Sequence, residues 1–114
     1  MRQGRWPALV AAALVVAACS GEAAPTRGET LARDVGCLAC HFQGSDLAPT
    51  WEGLWGSEVE LADGRTVIAD ADYVRRSIQE PSADVRAGYE PTMPLIPLTE
   101  AETEALVDYI RSRG

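Results

Sequence analysis

From Ala8 to Ala18 the chain is apolar without a break, a run of Ala, Val and Leu behind Arg2 and Arg5. A basic start, a short apolar stretch and small residues at its end are the layout of a secretory signal. The run is too short to span a bilayer, for which about 20 residues are needed. Residues 1–18 are therefore expected to be a signal peptide, with a buried core helix as the competing reading. Residues 20–27, SGEAAPTR, show no apolar stripe and contain Pro25, so 19–27 reads as a flexible tether. The globular part is expected over 28–114, one domain without an internal repeat.

Within that domain the pattern turns periodic. A short helix is expected over Glu29–Val35, ended by Gly36 near its C-cap. Val59-Glu60-Leu61-Ala62 and Arg65-Thr66-Val67-Ile68 flank Asp63-Gly64, a pair favoured in two-residue hairpin turns. A small β-ribbon is expected there, as an insertion and not a core sheet. Asp70 can cap a helix running to about Glu80, with Val74 and Ile78 on one face and Pro81 stopping it. Thr99 and Glu102 have the spacing of a capping box for a last helix that presents Leu106, Tyr109 and Ile110 inward.

Charge and size narrow the function. Once the first segment is set aside, eight arginines and no lysine remain against seventeen acids, a balance of minus nine. Nucleic-acid binding is disfavoured, because neutralising phosphates needs a basic face. A strongly acidic surface either keeps the protein soluble or steers it toward a basic docking patch. A domain of fewer than ninety residues has a marginal side-chain core, and a cofactor or cross-link usually completes it.

Cys37-Leu38-Ala39-Cys40-His41 is a C-x-x-C-H run, the spacing of covalent c-type haem attachment. Two thiols add across the porphyrin vinyl groups, and the adjacent imidazole reaches the iron. The competing readings are a structural disulfide, a thioredoxin-type pair and half a zinc site. A zinc site needs a second ligand pair that the sequence lacks, and a thioredoxin motif follows a strand, whereas helix precedes Cys37. Export and His41 favour one haem c. With Met1 removed, the chain holds one His and one Met, His41 and Met93. A lone Met is usually core filler. Met93, however, sits in Tyr89-Glu90-Pro91-Thr92-Met93-Pro94, a stretch unable to form regular helix or strand. It is the expected second axial ligand. A thioether raises the reduction potential and fills the sixth position, so outer-sphere electron transfer is the expected chemistry, not catalysis. The second nitrogen of His41 should donate to a backbone carbonyl, with Pro49 the candidate acceptor. Trp51 is the candidate partner of a haem propionate, ahead of Trp55, Tyr89 and Arg65.

Two resemblances add to this. Val16-Ala17-Ala18-Cys19-Ser20 resembles the lipobox of bacterial lipoproteins, with Val16 where Leu is commoner. That implies acylation of Cys19 and anchoring to a membrane surface. From Gly28 to Arg113 the chain resembles class I cytochrome c, above all the cytochrome c domain fused to subunit II of some bacterial haem-copper oxidases. The resemblance is carried by Gly36 to His41, by Ala48-Pro49-Thr50-Trp51-Glu52-Gly53-Leu54-Trp55-Gly56 and by Leu61-Ala62-Asp63-Gly64-Arg65-Thr66-Val67. It continues in Asp72-Tyr73-Val74-Arg75-Arg76-Ser77-Ile78 and in Gly88-Tyr89-Glu90-Pro91-Thr92-Met93-Pro94. It implies an all-α wrap around one haem, with first and last helices crossing, Pro49 accepting from His41 and Met93 on the opposite face. Ala32 stands where such proteins commonly have an aromatic residue, which implies looser packing against Tyr109. The copper domain and membrane helices of a true subunit II are absent from this sequence.

The expected function is therefore a one-electron carrier, exported, monomeric and lipid-tethered. Its expected redox partners are a quinol-oxidising complex or dehydrogenase on one side and a terminal oxidase or reductase on the other. The alternatives are a haem-based sensor or enzyme in which Met93 dissociates, and a fixed haem subunit of an oxidase or dehydrogenase complex.

Overall fold

The computed structural model describes Gly21 and residues 23–114. The signal segment and Cys19 lie outside the described residues, and so do the expectations of export and lipidation that rest on them. Among the described residues no helix is long and apolar enough to cross a membrane.

Helix α1 spans Arg27–Asp34. Thr26 is extended and its hydroxyl accepts from the backbone N–H of Glu29 at 3.1 Å, satisfying a donor that the first turn leaves open. Gly36 follows with φ 87°, a left-handed conformation that glycine adopts without steric cost, and it turns the chain into the 3₁₀ turn Cys37–Ala39. Helix α2 spans Ala71–Gln79, with the Asp70 carboxylate accepting from Tyr73 N at 2.9 Å, and Pro81 stands just beyond it. Helix α3 spans Glu100–Arg111 behind a complete capping box. The Thr99 hydroxyl accepts from Glu102 N, and the Glu102 carboxylate accepts from Thr99 N at 2.8 Å.

Strands β1, Glu58–Glu60, and β2, Thr66–Ile68, form an antiparallel ribbon with Val59 opposite Val67. The turn is not the expected two-residue one. Gly64 N donates to Leu61 O at 2.9 Å and Leu61 N to Arg65 O at 2.8 Å, with Gly64 at φ 87°. This is a three-residue loop whose last residue is left-handed, and the strands stop at Glu60 and resume at Thr66, short of the expected Ala62 and Arg65. A further segment joins the free side of the ribbon. Ala62 N donates to Val85 O at 2.8 Å and Ala87 N to Glu60 O at 2.9 Å, bracketing a bridge between Leu61 and Arg86.

The expectation of an all-α architecture is overturned. Only 34% of the described residues are helical, and the ribbon is part of the core. Val59, Leu61 and Ala69 are buried in one cluster with Ala32, Trp51, Val74, Leu106, Val107 and Ile110. Two physical reasons stand out. Pro49, Pro81, Pro91, Pro94 and Pro97 punctuate the segments between helices, where each removes a backbone donor. The alternation of Glu58-Val59-Glu60 buries one β-branched side chain between two exposed acids, a period that suits a strand and not a helix.

Three contacts tie the elements together. Helices α1 and α3 cross where Gly28 meets Ala105 and Tyr109. Ala32 is fully buried beside this crossing. The Arg75 guanidinium grips Glu104 with two hydrogen bonds, of 2.6 and 3.0 Å, and so clamps α2 to α3.

Candidate functional site

The six site residues favoured from the sequence inside the domain line one cleft, whereas Trp55 and Arg65 do not. It encloses roughly 1380 Å³ including its open mouth, and most of its wall is apolar. Cys37, Cys40, His41, Pro49, Trp51 and Met93 all line it. Cys19 lies outside the described residues.

The motif earns its geometry from one tight turn. The carbonyl of Cys37 accepts from both Cys40 N at 3.2 Å and His41 N at 3.0 Å. Such a coil sets residues 37, 40 and 41 on one side. Both cysteines are free thiols and half-buried, while Leu38 packs back on the core and Ala39 is exposed. Burial pushes the Cys37 thiol up from its ordinary value, so it is held protonated.

His41 is fixed from two directions. Its Nδ1 lies 2.8 Å from the carbonyl oxygen of Pro49. A carbonyl only accepts, so Nδ1 carries the proton and Nε2 keeps its lone pair. Burial lowers the affinity of the ring for a second proton, an effect partly offset by the bond to Pro49. A neutral imidazole with one free lone pair is what a metal requires. Trp51 stacks on the ring at 4.9 Å between centroids and 22° between planes, and it makes a T-shaped contact with Tyr109, centroids 5.9 Å apart. The buried indole thus supports His41 as well as lining the cleft.

Met93 approaches from a different segment. Thr92 N donates to Glu90 O at 2.8 Å, and no backbone hydrogen bond is made between Met93 and Leu98 among the described residues. Pro91, Pro94 and Pro97 restrict that stretch, and Leu98 packs against the core.

One wall of the cleft is polar and was not legible beforehand. Tyr73 and Ser77 of α2 line it together with Asp84 and Arg86 of the following segment. The Asp84 side chain is 2% exposed and sits between two cations, Arg65 Nη2 at 2.8 Å and Arg76 Nε at 2.7 Å. Ser77 Oγ is buried without a hydrogen bond of regular geometry. Burial raises the Tyr73 phenol, while Ser77 and the Arg86 charge pull it back and Asp84 adds to the rise, so all three side chains act on Tyr73. Tyr73 and Ser77 stand four apart on the face of α2 that also carries Val74 and Ile78, the one periodic hint available. Asp84 with its arginine partners offered none, since 19 residues separate it from Arg65.

As a donor set, two thiols, one imidazole with a free nitrogen and one thioether around a flat apolar cleft can hold an iron porphyrin bonded to Cys37 and Cys40. His41 and Met93 would then be the side chains available to hold its iron. Among the described residues no group of three or more His, Cys, Asp or Glu converges on a metal ion, so the zinc alternative finds no partner set. The chain matches no protein-family model. No curated protein matches it either.

Proposed function

We propose that this protein is a one-electron carrier, a monohaem c-type cytochrome with His41 and Met93 as axial ligands. A haem bonded to Cys37 and Cys40 supplies the Fe(III)/Fe(II) couple. The observation that carries the reading is the convergence of Cys37, Cys40, His41 and Met93 on one apolar cleft, with the lone pair of His41 freed by its bond to Pro49.

The work left to the protein is positioning and insulation. Pro49 and Trp51 hold the imidazole, so the ligand does not reorganise when the charge changes. Leu54, Val74, Ile78, Leu106 and Ile110 form the apolar wall, which excludes water and favours the less charged, reduced state. With His41 and Met93 both holding the iron, the haem would supply electron transfer without a place for substrate to bond. The acidic surface favours a partner with a basic docking face. The carrier is proposed to be exported and lipid-tethered through Cys19, exchanging electrons between a quinol-oxidising complex or dehydrogenase and a terminal oxidase.

A second reading, a sensor in which Met93 detaches, is favoured by one observation, the absence of backbone hydrogen bonds from Met93 to Leu98 among the described residues. The optical spectrum of the purified holoprotein separates the two. A ferric sulfur-to-iron band and ferrous indifference to carbon monoxide are expected of the carrier. Absence of that band with ready carbon monoxide binding overturns it in favour of the sensor, and absence of covalent haem overturns both.

A further inference from the structure

Arg86 is out of place in an otherwise well-paired molecule. Eight arginines lie in the described chain, and Arg33, Arg65, Arg75, Arg76, Arg111 and Arg113 all make ion pairs. Two remain. Arg27 is exposed at the start of α1, where water solvates it. Arg86 is half-buried, lines the cleft and has no ion-pair partner among the described residues, although acids outnumber arginines two to one. A half-buried cation that lines a cleft without a counter-charge leaves a place there for an anion.

The neighbourhood fits an anion of one kind. Ser77 Oγ is buried on the same wall without a hydrogen bond of regular geometry, within reach of the Tyr73 phenol, whose proton burial helps to retain. An alcohol, a phenol and a guanidinium together present donors that match the oxygens of a carboxylate. Two acids also line the cleft. Asp84 is already compensated by Arg65 and Arg76, and Glu90 is exposed to solvent. The placement is not accidental slack in a loop, because the bonds Ala62 N to Val85 O and Ala87 N to Glu60 O pin the backbone on both sides of Arg86.

We propose that Tyr73, Ser77 and Arg86 form a carboxylate-binding wall that takes a propionate of the haem, with Arg86 as its counter-ion. This rests on the haem reading above. The sequence favours Trp51 for the role; its ring stacks on His41, and Arg86 adds the positive charge that an indole cannot supply. The wall fixes one edge of the macrocycle opposite in chemistry to the thioether edge at Cys37 and Cys40, and the Arg86 charge then favours ferrous over ferric iron.

The test compares midpoint potentials of the holoproteins Arg86→Gln, Arg86→Lys and Arg27→Gln. Losing the charge at Arg86 is expected to lower the ferrous-to-ferric ratio roughly threefold to tenfold, tenfold being about 59 mV for one electron. Arg86→Lys should restore most of it, and Arg27→Gln, an equal charge change on the surface, should do much less. Equal shifts in Arg86→Gln and Arg27→Gln overturn the proposal. Should Arg86→Gln fail to fold, Ser77→Ala with haem labelled in its propionate carboxyls provides the infrared readout. A displaced carboxylate band supports the wall, and an unchanged band overturns it. Inorganic phosphate that shifts the potential of the native protein but not of Arg86→Gln would show a free anion at Arg86, and would overturn the assignment to propionate. Failure to find covalent haem in the native protein removes the haem reading itself, an outcome distinct from any of these.

Discussion

Gly28 and Tyr109 mark the closest approach of the first and last helices. A Cβ on Gly28 would stand 2.6 Å from the Cβ of Tyr109 and 2.0 Å from the carbonyl oxygen of Ala105. Both distances lie far inside van der Waals contact, and one obstacle is backbone, which cannot swing away. The same α3 turn carries Tyr109 against Trp51, which braces His41, so a displaced helix reaches the cleft. Gly28→Ala is expected to destabilise the domain by about 1–3 kcal/mol, the usual cost of overpacking. At about 4–8 °C per kcal/mol for a domain of this size, thermal unfolding followed by circular dichroism will register it. A variant as stable as the parent would show that the helices cross less tightly.

Asp84 sits between Arg65 and Arg76, and the two sides of that clasp are unequal. The carboxylate is 2% exposed, whereas the arginine side chains are about half exposed. Removing Asp84 frees two cations that water can solvate. Removing both arginines strands a buried charge. The Arg65→Gln/Arg76→Gln double variant is therefore expected to lose about 3–5 kcal/mol, and Asp84→Asn only about 1 kcal/mol. Urea titrations that rank the two in the opposite order would show that the carboxylate is better hydrated than its burial implies.

Local signals were legible in the sequence, and long-range ones were not. Thr99 with Glu102, Asp70 before α2 and Gly36 after α1 act through backbone groups within four residues, so their spacing alone locates the helix ends. The chemistry of the C-x-x-C-H run is equally local. The β-ribbon was legible as a ribbon but not as core. Whether Val59 and Leu61 are buried depends on α3 and on the 85–87 segment arriving beside them. Asp63-Gly64 pointed to a two-residue turn because its preference is shared by the three-residue loop with Gly64 at its end. Thr103 and Val107 were also missed as core residues, though they share the α3 face with Leu106 and Ile110. The polar wall of Tyr73, Ser77, Asp84 and Arg86 exists only because strand β1 pins a loop distant from it in sequence.

Glu52 couples the cleft-forming loop to the C-terminus. The Thr50 hydroxyl donates to one carboxylate oxygen and Arg113 binds the other at 2.6 Å, holding the acid down at about 2 from an ordinary 4.5. A lowered carboxylate stabilises the fold above its unfolded value and loses that contribution as pH falls through the folded one. The window is therefore pH 4.5 down to about 2. Both side chains are more than a third exposed, so screening limits the contribution to no more than about 1 kcal/mol. Glu52→Gln should narrow the stability difference between pH 5 and pH 2.5 by that amount, measured by urea unfolding at each pH. An unchanged slope would mean that the contact is not maintained in solution.

Met93, the proposed second ligand, is held by the weaker scaffold. His41 is fixed by Pro49 and Trp51, whereas the stretch from Met93 to Leu98 makes no backbone hydrogen bonds among the described residues. Its order comes from Pro91, Pro94 and Pro97 and from Leu98 against the core. Two substitutions follow from this. Met93→Ala should abolish the ferric sulfur band and admit carbon monoxide to ferrous iron, with helical circular dichroism retained because the segment contributes no helix. Leu98→Ala keeps the ligand but loosens its anchor, at a cost of about 2–3 kcal/mol for a partly buried leucine. It should preserve the band yet let carbon monoxide bind slowly to ferrous iron, to which the parent is indifferent, since opening of the segment precedes ligand entry. If Leu98→Ala is as indifferent to carbon monoxide as the parent, the prolines alone hold Met93 in place. A carrier then needs no packing contact to keep its sixth position closed.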